Sequence, residues 1–155
     1  MDAKKRAELI ERYRDGHRAV LDALEGITEE ELDRRPGSDD WTPREVVHHL
    51  ADSEMTSAIR LRRLLAEEHP VIYGYDEKAF AKRFTLGRPV EASLAAFDAA
   101  RTTTAEILAS LTEADWGRTG WHNESGPYGV ETWLRIYASH GHDHAEQIRK
   151  ARTRS

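Results

Sequence analysis

Apolar residues recur at helical spacing along most of the chain. From about Asp2 to Leu24 the positions Leu9, Ile10, Tyr13, His17, Val20, Leu21 and Leu24 form one stripe, which predicts a helix with that face turned inward. Gly26 ends it, because glycine adopts the left-handed conformation that closes a helix. Thr28-Glu29-Glu30-Glu31-Leu32 has a cap-like start and predicts a short extra turn, and Pro36 to Asp40 reads as a loop. Trp41-Thr42-Pro43-Arg44-Glu45 opens a second long helix: Thr42 accepts from the free amides, Pro43 suits the first helical position, and Glu45 completes a capping box. That helix is predicted from Pro43 to about Glu68, with His69-Pro70 stopping it. Its inner face carries Val46, His49, Leu50, Ser53, Ser57, Leu61 and Leu64 or Leu65, while His48 is rotated by about 100° toward the edge of the stripe.

Val71 to Pro89 is a long connection rich in aromatic and charged residues, with a short helix predicted over Asp76 to Phe84. Pro89 to Leu111 reads as a third long helix, with Val90, Leu94, Phe97, Ala100 or Arg101, Thr104, Ile107 or Leu108 and Leu111 inward. Thr112 to Trp116 is another capped turn, and Gly117 to Tyr128 is a hairpin or flap. Gly129 to about Arg152 is the fourth long helix, its stripe made of Val130, Trp133, Leu134, Tyr137, His140, Gly141, His144, Ala145 and Ile148. Four long helical patterns, no alternating strand run and no internal repeat predict an all-α bundle.

The 155 residues suit a single domain over the whole chain, 1–155. A net charge of −5 provides no overall positive field for nucleic acid or an anionic membrane. The basic run Arg149 to Arg154 reads as a solvated helix end whose cations favour the negative pole of the dipole. Cysteine is absent, which removes disulfides, thiolate nucleophiles and Cys-ligated zinc, and fits a reducing compartment. The charged start of the chain lacks the apolar segment of a signal peptide, and no apolar run approaches the roughly eighteen residues of a membrane span. A cytoplasmic protein is expected.

The chemistry gathers near the C-terminus, where Ala138-Ser139-His140-Gly141-His142-Asp143-His144 holds three of the eight histidines. On a helix His140 and His144 stack one turn apart and can share a metal ion, while His142 points to the other side and reads as a surface residue. His49 faces the same interior from the second helix. Burying three unpaired imidazoles costs about 1–3 kcal/mol each, and one divalent ion satisfies all three. Three protein ligands with an open position is the arrangement of a catalytic site rather than a structural one. The competing reading is three core histidines bonded to backbone or carboxylates. His17, on the inner stripe of the first helix, reads as a hydrogen-bonded core group.

The segment Trp41-Thr-Pro-Arg-Glu-Val-Val-His-His-Leu-Ala-Asp-Ser-Glu54 resembles the second-helix motif of the DinB/YfiT-like metalloenzymes. Tyr75-Asp-Glu-Lys-Ala-Phe80 and His140-Gly-His-Asp-His144-Ala-Glu-Gln-Ile148 resemble the YfiT branch, in the same order, so that the likeness spans about Arg35 to Arg149. The resemblance implies a four-helix bundle of up-down-down-up topology and a divalent metal, nickel or zinc, held by one histidine of the second helix and two of the fourth. In the family pattern the ligand follows a Glu or Gln by four residues, which maps onto His49 after Glu45, with His48 as the adjacent rival. Asp52, a turn after His49, would orient an imidazole. Family relatives include thiol S-transferases that use bacillithiol or mycothiol, and proteins labelled metal-dependent hydrolases; homodimerisation is a family expectation. A metal-bound thiol or water serves as nucleophile in the two cases, and with no cysteine in the chain any thiol must come from a low-molecular-weight cofactor. Tyr73, Tyr75, Asp76, Arg83, Trp121 and His122 are candidate contacts to a small-molecule substrate. The alternatives are a non-catalytic metal-binding or stress-response bundle, and haem binding through His49 and a fourth-helix histidine.

Overall fold

A computed structural model describes residues 1–153. Four long helices form the body: α1 (Ala3–Leu24), α3 (Pro43–Ala66), α5 (Glu91–Ala109) and α7 (Val130–Thr153). Between them lie the short helices α2 (Glu29–Leu32), α4 (Glu77–Phe84) and α6 (Glu113–Trp116) and the strands β1 (Val71–Ile72), β2 (Thr119–His122) and β3 (Gly126–Gly129). The capping box read from the sequence is present at Thr42/Glu45, and the two capped turns close with boxes of their own at Thr28/Glu31 and Thr112/Asp115. Gly26 has φ +65°, the left-handed geometry expected after α1.

Side-chain contacts give the helix directions. Arg6 at the start of α1 meets Glu131 at the start of α7, and Arg152 at the end of α7 meets the Ala23 carbonyl at the end of α1, so these two helices are parallel. His48 meets Ser93 and Arg62 meets Thr104, which makes α3 and α5 parallel as well. His49 meets His140 while the indole of Trp133 donates to the Ser57 carbonyl, so α3 and α7 are antiparallel. The result is the up-down-down-up four-helix bundle, and the long connection carrying β1 and α4 is what lets α5 return parallel to α3.

Two apolar clusters fill the bundle. One gathers Tyr13, Leu61, Leu64, Leu108, Trp133, Leu134 and Tyr137, and the other Val20, Leu24, Val46, Val47, Leu50, Phe97, Ala145 and Ile148. Between them lies a buried ion pair, Glu54 with Arg101, whose Nε donates to the carboxylate at 3.0 Å. Tyr13 Oη also donates to Glu54, and the Arg101 guanidinium donates to the carbonyls of Tyr13 and Tyr137. One network thus ties all four long helices. It requires Gly16, where a Cβ would stand 2.2 Å from Arg101 Nη1, and α7 approaches at Gly141, where a Cβ would stand 2.9 Å from the Gly16 carbonyl.

The inward stripes hold with one exception. Leu21 is exposed, and Ala23 takes the buried position beside Leu24. The hairpin at 117–128 is real, with Trp121 opposite Pro127, and it recruits a strand absent from the apolar pattern: β1 pairs parallel with β2, Val71 opposite Trp121 and Ile72 opposite His122. Two residues are too few to show alternation, and β1 exists only through its partner. In the basic C-terminal run, Arg152 caps the last carbonyls of α1 at Ala23 and Glu25 instead of standing free in solvent; Arg154 lies outside the described residues.

Candidate metal centre

The antiparallel pairing of α3 and α7 brings their histidines into one layer. His140 Nε2 lies 3.4 Å from His49 Nε2 and 3.2 Å from His144 Nε2, and the three ligand atoms lie within 4.8 Å of one another. Two nitrogens bound at about 2.0–2.1 Å to a tetrahedral ion stand about 3.3–3.4 Å apart, and the two short separations match that chord. The rings meet at steep angles, with centroids 4.5 to 5.3 Å apart. The Trp41 ring, just before the α3 cap, packs 4.8 Å from that of His49.

Burial pushes the His49 imidazole down to about 3, with His144 adding to the effect. His140 is held well below its ordinary value by burial, then by the charges of His144, His49 and Arg101. Burial also lowers His144, against the opposing bond to Gln147. All three rings are therefore neutral at pH 7, the state in which a ring nitrogen offers a lone pair to a metal. Neutral imidazoles cannot satisfy one another at this site, since both short contacts run through the single Nε2 of His140. The buried His140 Nδ1 has no partner. Three neutral nitrogens converging on one point fit a divalent ion of borderline softness.

Residues 12–148 match the DinB superfamily. The chain belongs to that superfamily. A protein of Oceanobacillus iheyensis named "Putative metal-dependent hydrolase" is 38% identical over 141 residues, covering 91% of this chain and 82% of its own length. A protein of the same name from Bacillus mycoides is 32% identical over 145 residues, covering 94% and 84%. The solved structure of YfiT from Bacillus subtilis, described as "a probable metal-dependent hydrolase with an unusual four-helix bundle topology", matches with a TM-score of 0.92 at 30% identity, over 97% of this chain and 87% of that one.

In this DinB bundle the adjacent histidines of α3 part company. His48 is buried, but it faces α5: Nδ1 lies 2.7 Å from Ser93 Oγ, and Nε2 lies 3.2 Å from the Arg88 carbonyl. It lies rotated off the His49 face as the stripe implied, and it is buried because α5 covers that side of α3. Asp52 makes no hydrogen bond to an imidazole, and its Oδ2 is buried without a partner. The orienting group is Gln147, whose amide oxygen accepts from His144 Nδ1 at 2.7 Å and so leaves Nε2 as the free lone pair. Gln147 follows His144 by three residues, a helical spacing that carried the signal. His142 turns away from the cluster to the surface, where its Nε2 lies 2.9 Å from the Arg12 carbonyl. His17 pairs with Asp98, Nδ1 to Oδ1 at 3.2 Å, outside the cluster.

The expected substrate contacts divide. Tyr75 and His122 are drawn inward: the Tyr75 hydroxyl is buried, and His122 is buried with its Nδ1 accepting from the Glu124 amide at 3.2 Å. Asp76 is the N-cap of α4, its Oδ1 accepting from the Ala79 amide at 2.8 Å. Arg83 is exposed on α4, and Tyr73 and Trp121 are exposed as well, Tyr73 giving its backbone carbonyl to Arg60.

Proposed function

We propose that the chain is a divalent-metal-dependent enzyme acting on a small molecule, with the ion held by Nε2 of His49, His140 and His144. The observation that carries the reading is the meeting of three neutral, buried or half-buried ring nitrogens within 4.8 Å of one another, with His140 at ligand spacing from both His49 and His144. Such an ion, when bound, supplies Lewis acidity and lowers the pKa of a water or thiol at its open position. The chain's own work is to keep the ligands neutral by burial, to fix the His144 tautomer through Gln147, and to cover His49 with Trp41.

The names of the relatives support hydrolysis. Imidazole donors suit nickel and zinc equally. The same ligands would serve an S-transferase in which a low-molecular-weight thiol of the bacillithiol or mycothiol kind replaces water. Release of product from an activated ester without added thiol marks the hydrolase, and consumption of an electrophile only with thiol marks the transferase.

The test is elemental analysis of the gently purified protein beside His49→Ala, His140→Ala and His144→Ala. About one equivalent of nickel or zinc per chain is expected, with loss in each variant. A folded wild-type protein that carries no ion, and takes up neither nickel nor zinc when supplied, overturns the proposal. Bound metal with no turnover across both assays would leave a non-catalytic metal-binding bundle.

A further inference from the structure

A cavity of about 250 Å³ opens between the loop that precedes α3 and the C-terminal half of α7. Trp41 and Gln147 are two of its walls, and both back onto the candidate metal ligands. The Trp41 ring packs 4.8 Å from that of His49, and the Gln147 amide oxygen accepts from His144 Nδ1 at 2.7 Å. The ligand rings are therefore one side chain away from this space on two sides. Its volume is below the roughly 300–1,000 Å³ of a complete small-molecule pocket, so it houses one end of a ligand whose remainder lies elsewhere.

The charges around the cavity do not balance. Lys150 and Glu146 line it and pair with each other, Nζ to Oε1 at 3.7 Å, and Arg149 lies 3.8 Å from the second Glu146 oxygen. Asp40 and Asp143 line it as well, and among the described residues no cation stands within ion-pair distance of either carboxylate. Arg35 reaches only the backbone carbonyl of Asp40 and gives its charge to Glu45. These carboxylates do not make a second metal site, because the one group of converging ligand atoms among the described residues is His49, His140 and His144. What remains is an indole and two uncompensated carboxylates around a space wider than a metal ion.

We infer that this cavity receives the ammonium end of a cationic small-molecule substrate whose reacting end lies at the three histidines. An indole attracts an organic cation through its ring quadrupole, and quaternary ammonium groups are the ligands best suited to such contacts. The carboxylates of Asp40 and Asp143 add attraction for a positive charge and repel an anionic ligand end from the same space. The inference rests on the proposed metal site for the placement of the reacting end, and on the cavity alone for the cationic end.

The test titrates nickel-loaded protein with ω-mercaptoalkyl trimethylammonium ions of graded length and with neutral isosteres in which carbon replaces the nitrogen, followed by thiolate-to-nickel charge-transfer absorption. Each pair differs in charge and hardly in shape, and a quaternary nitrogen cannot itself bind the metal. At the length that reaches from the histidines past Trp41 the cation is expected to bind about tenfold more tightly than its isostere. In the double variant Asp40→Asn/Asp143→Asn, at two exposed positions, that ratio falls to one or below. No advantage for the cation at any length, or an advantage that survives in the double variant, overturns the inference. If the protein takes up no nickel, the metal reading fails by itself, and titration of the metal-free protein with butyltrimethylammonium decides the cavity. The readout is the Trp41 indole N–H signal in nitrogen-15 NMR, identified by its absence in Trp41→Phe. A saturable shift of that signal in wild type but not in the double variant supports the inference; no shift, or the same shift in both proteins, overturns it.

Discussion

The amide oxygen of Gln147 lies 2.7 Å from Nδ1 of His144, one turn along the same helix. An oxygen acceptor there holds the proton on Nδ1 and leaves the Nε2 lone pair facing His140, the state the proposed metal site needs. Gln147→Leu keeps the side chain's bulk and removes the acceptor. Metal affinity, measured by chelator competition, is expected to fall about 10- to 100-fold with little change in folding stability.

His48 and His49 are neighbours in sequence with different partners, α5 for the first and α7 for the second. His48→Ala removes the partner of Ser93 and of the Arg88 carbonyl, and is expected to cost about 1–3 kcal/mol in urea unfolding while metal content stays at the wild-type level. His49→Ala is expected to show the reverse pattern.

Glu54 and Arg101 form a buried pair that reaches all four long helices. Removing one partner leaves the other charged and desolvated. Arg101→Met is expected to lower stability by about 3–5 kcal/mol, whereas the double variant Glu54→Leu/Arg101→Met recovers much of that loss. Denaturant unfolding of Arg101→Met, Glu54→Leu and the double variant measures the coupling.

Acid should unfold the metal-free protein through its histidines. His49 is pushed down to about 3 in the fold, against an ordinary value near 6.5 in the unfolded chain. Between those values the unfolded state binds the extra proton, so stability falls as pH falls, by about 1.4 kcal/mol per pH unit for this one residue. The effect starts near pH 6.5 and is complete near pH 3, with His140 and His144 adding in the same direction. Unfolding of chelator-treated protein across this range should show the slope, and His49→Leu should flatten it.

Gly141 lies between two candidate ligands, where α7 crosses α1. A Cβ there would stand 2.9 Å from the Gly16 carbonyl and 3.1 Å from its Cα, both backbone atoms that cannot swing aside. Gly141→Ala is expected to cost about 1–3 kcal/mol by forcing the helices apart. Because His140 moves with α7, metal affinity should fall as well, which chelator competition measures.

Several of these features are legible in the amino-acid order and others are not. Thr42 with Glu45, and Thr28 with Glu31, declare helix starts because a capping box is satisfied within four residues. The His140–His144 pair declares a shared face because i and i+4 are neighbours on any helix. Gln147 was within the same local reasoning, three residues beyond His144. The role of Trp41 was not, since nothing near it in sequence says that its ring meets His49 and shares a cavity with Gln147. Strand β1 was hidden for a related reason, its two residues being extended only against Trp121 and His122.

The sequence by itself determined which segments are helical, where they start, and that imidazoles lie on inward faces, because those properties depend on neighbours within one turn. The tertiary structure alone decided which inward face meets which. Antiparallel packing of α3 on α7 gives His49 to His140, parallel packing of α3 on α5 gives His48 to Ser93, and a 100° turn between adjacent residues separates two different partners. Helix direction and crossing are set by the whole bundle, by Gly16 against Gly141 and by the Glu54–Arg101 network, and no local pattern encodes them.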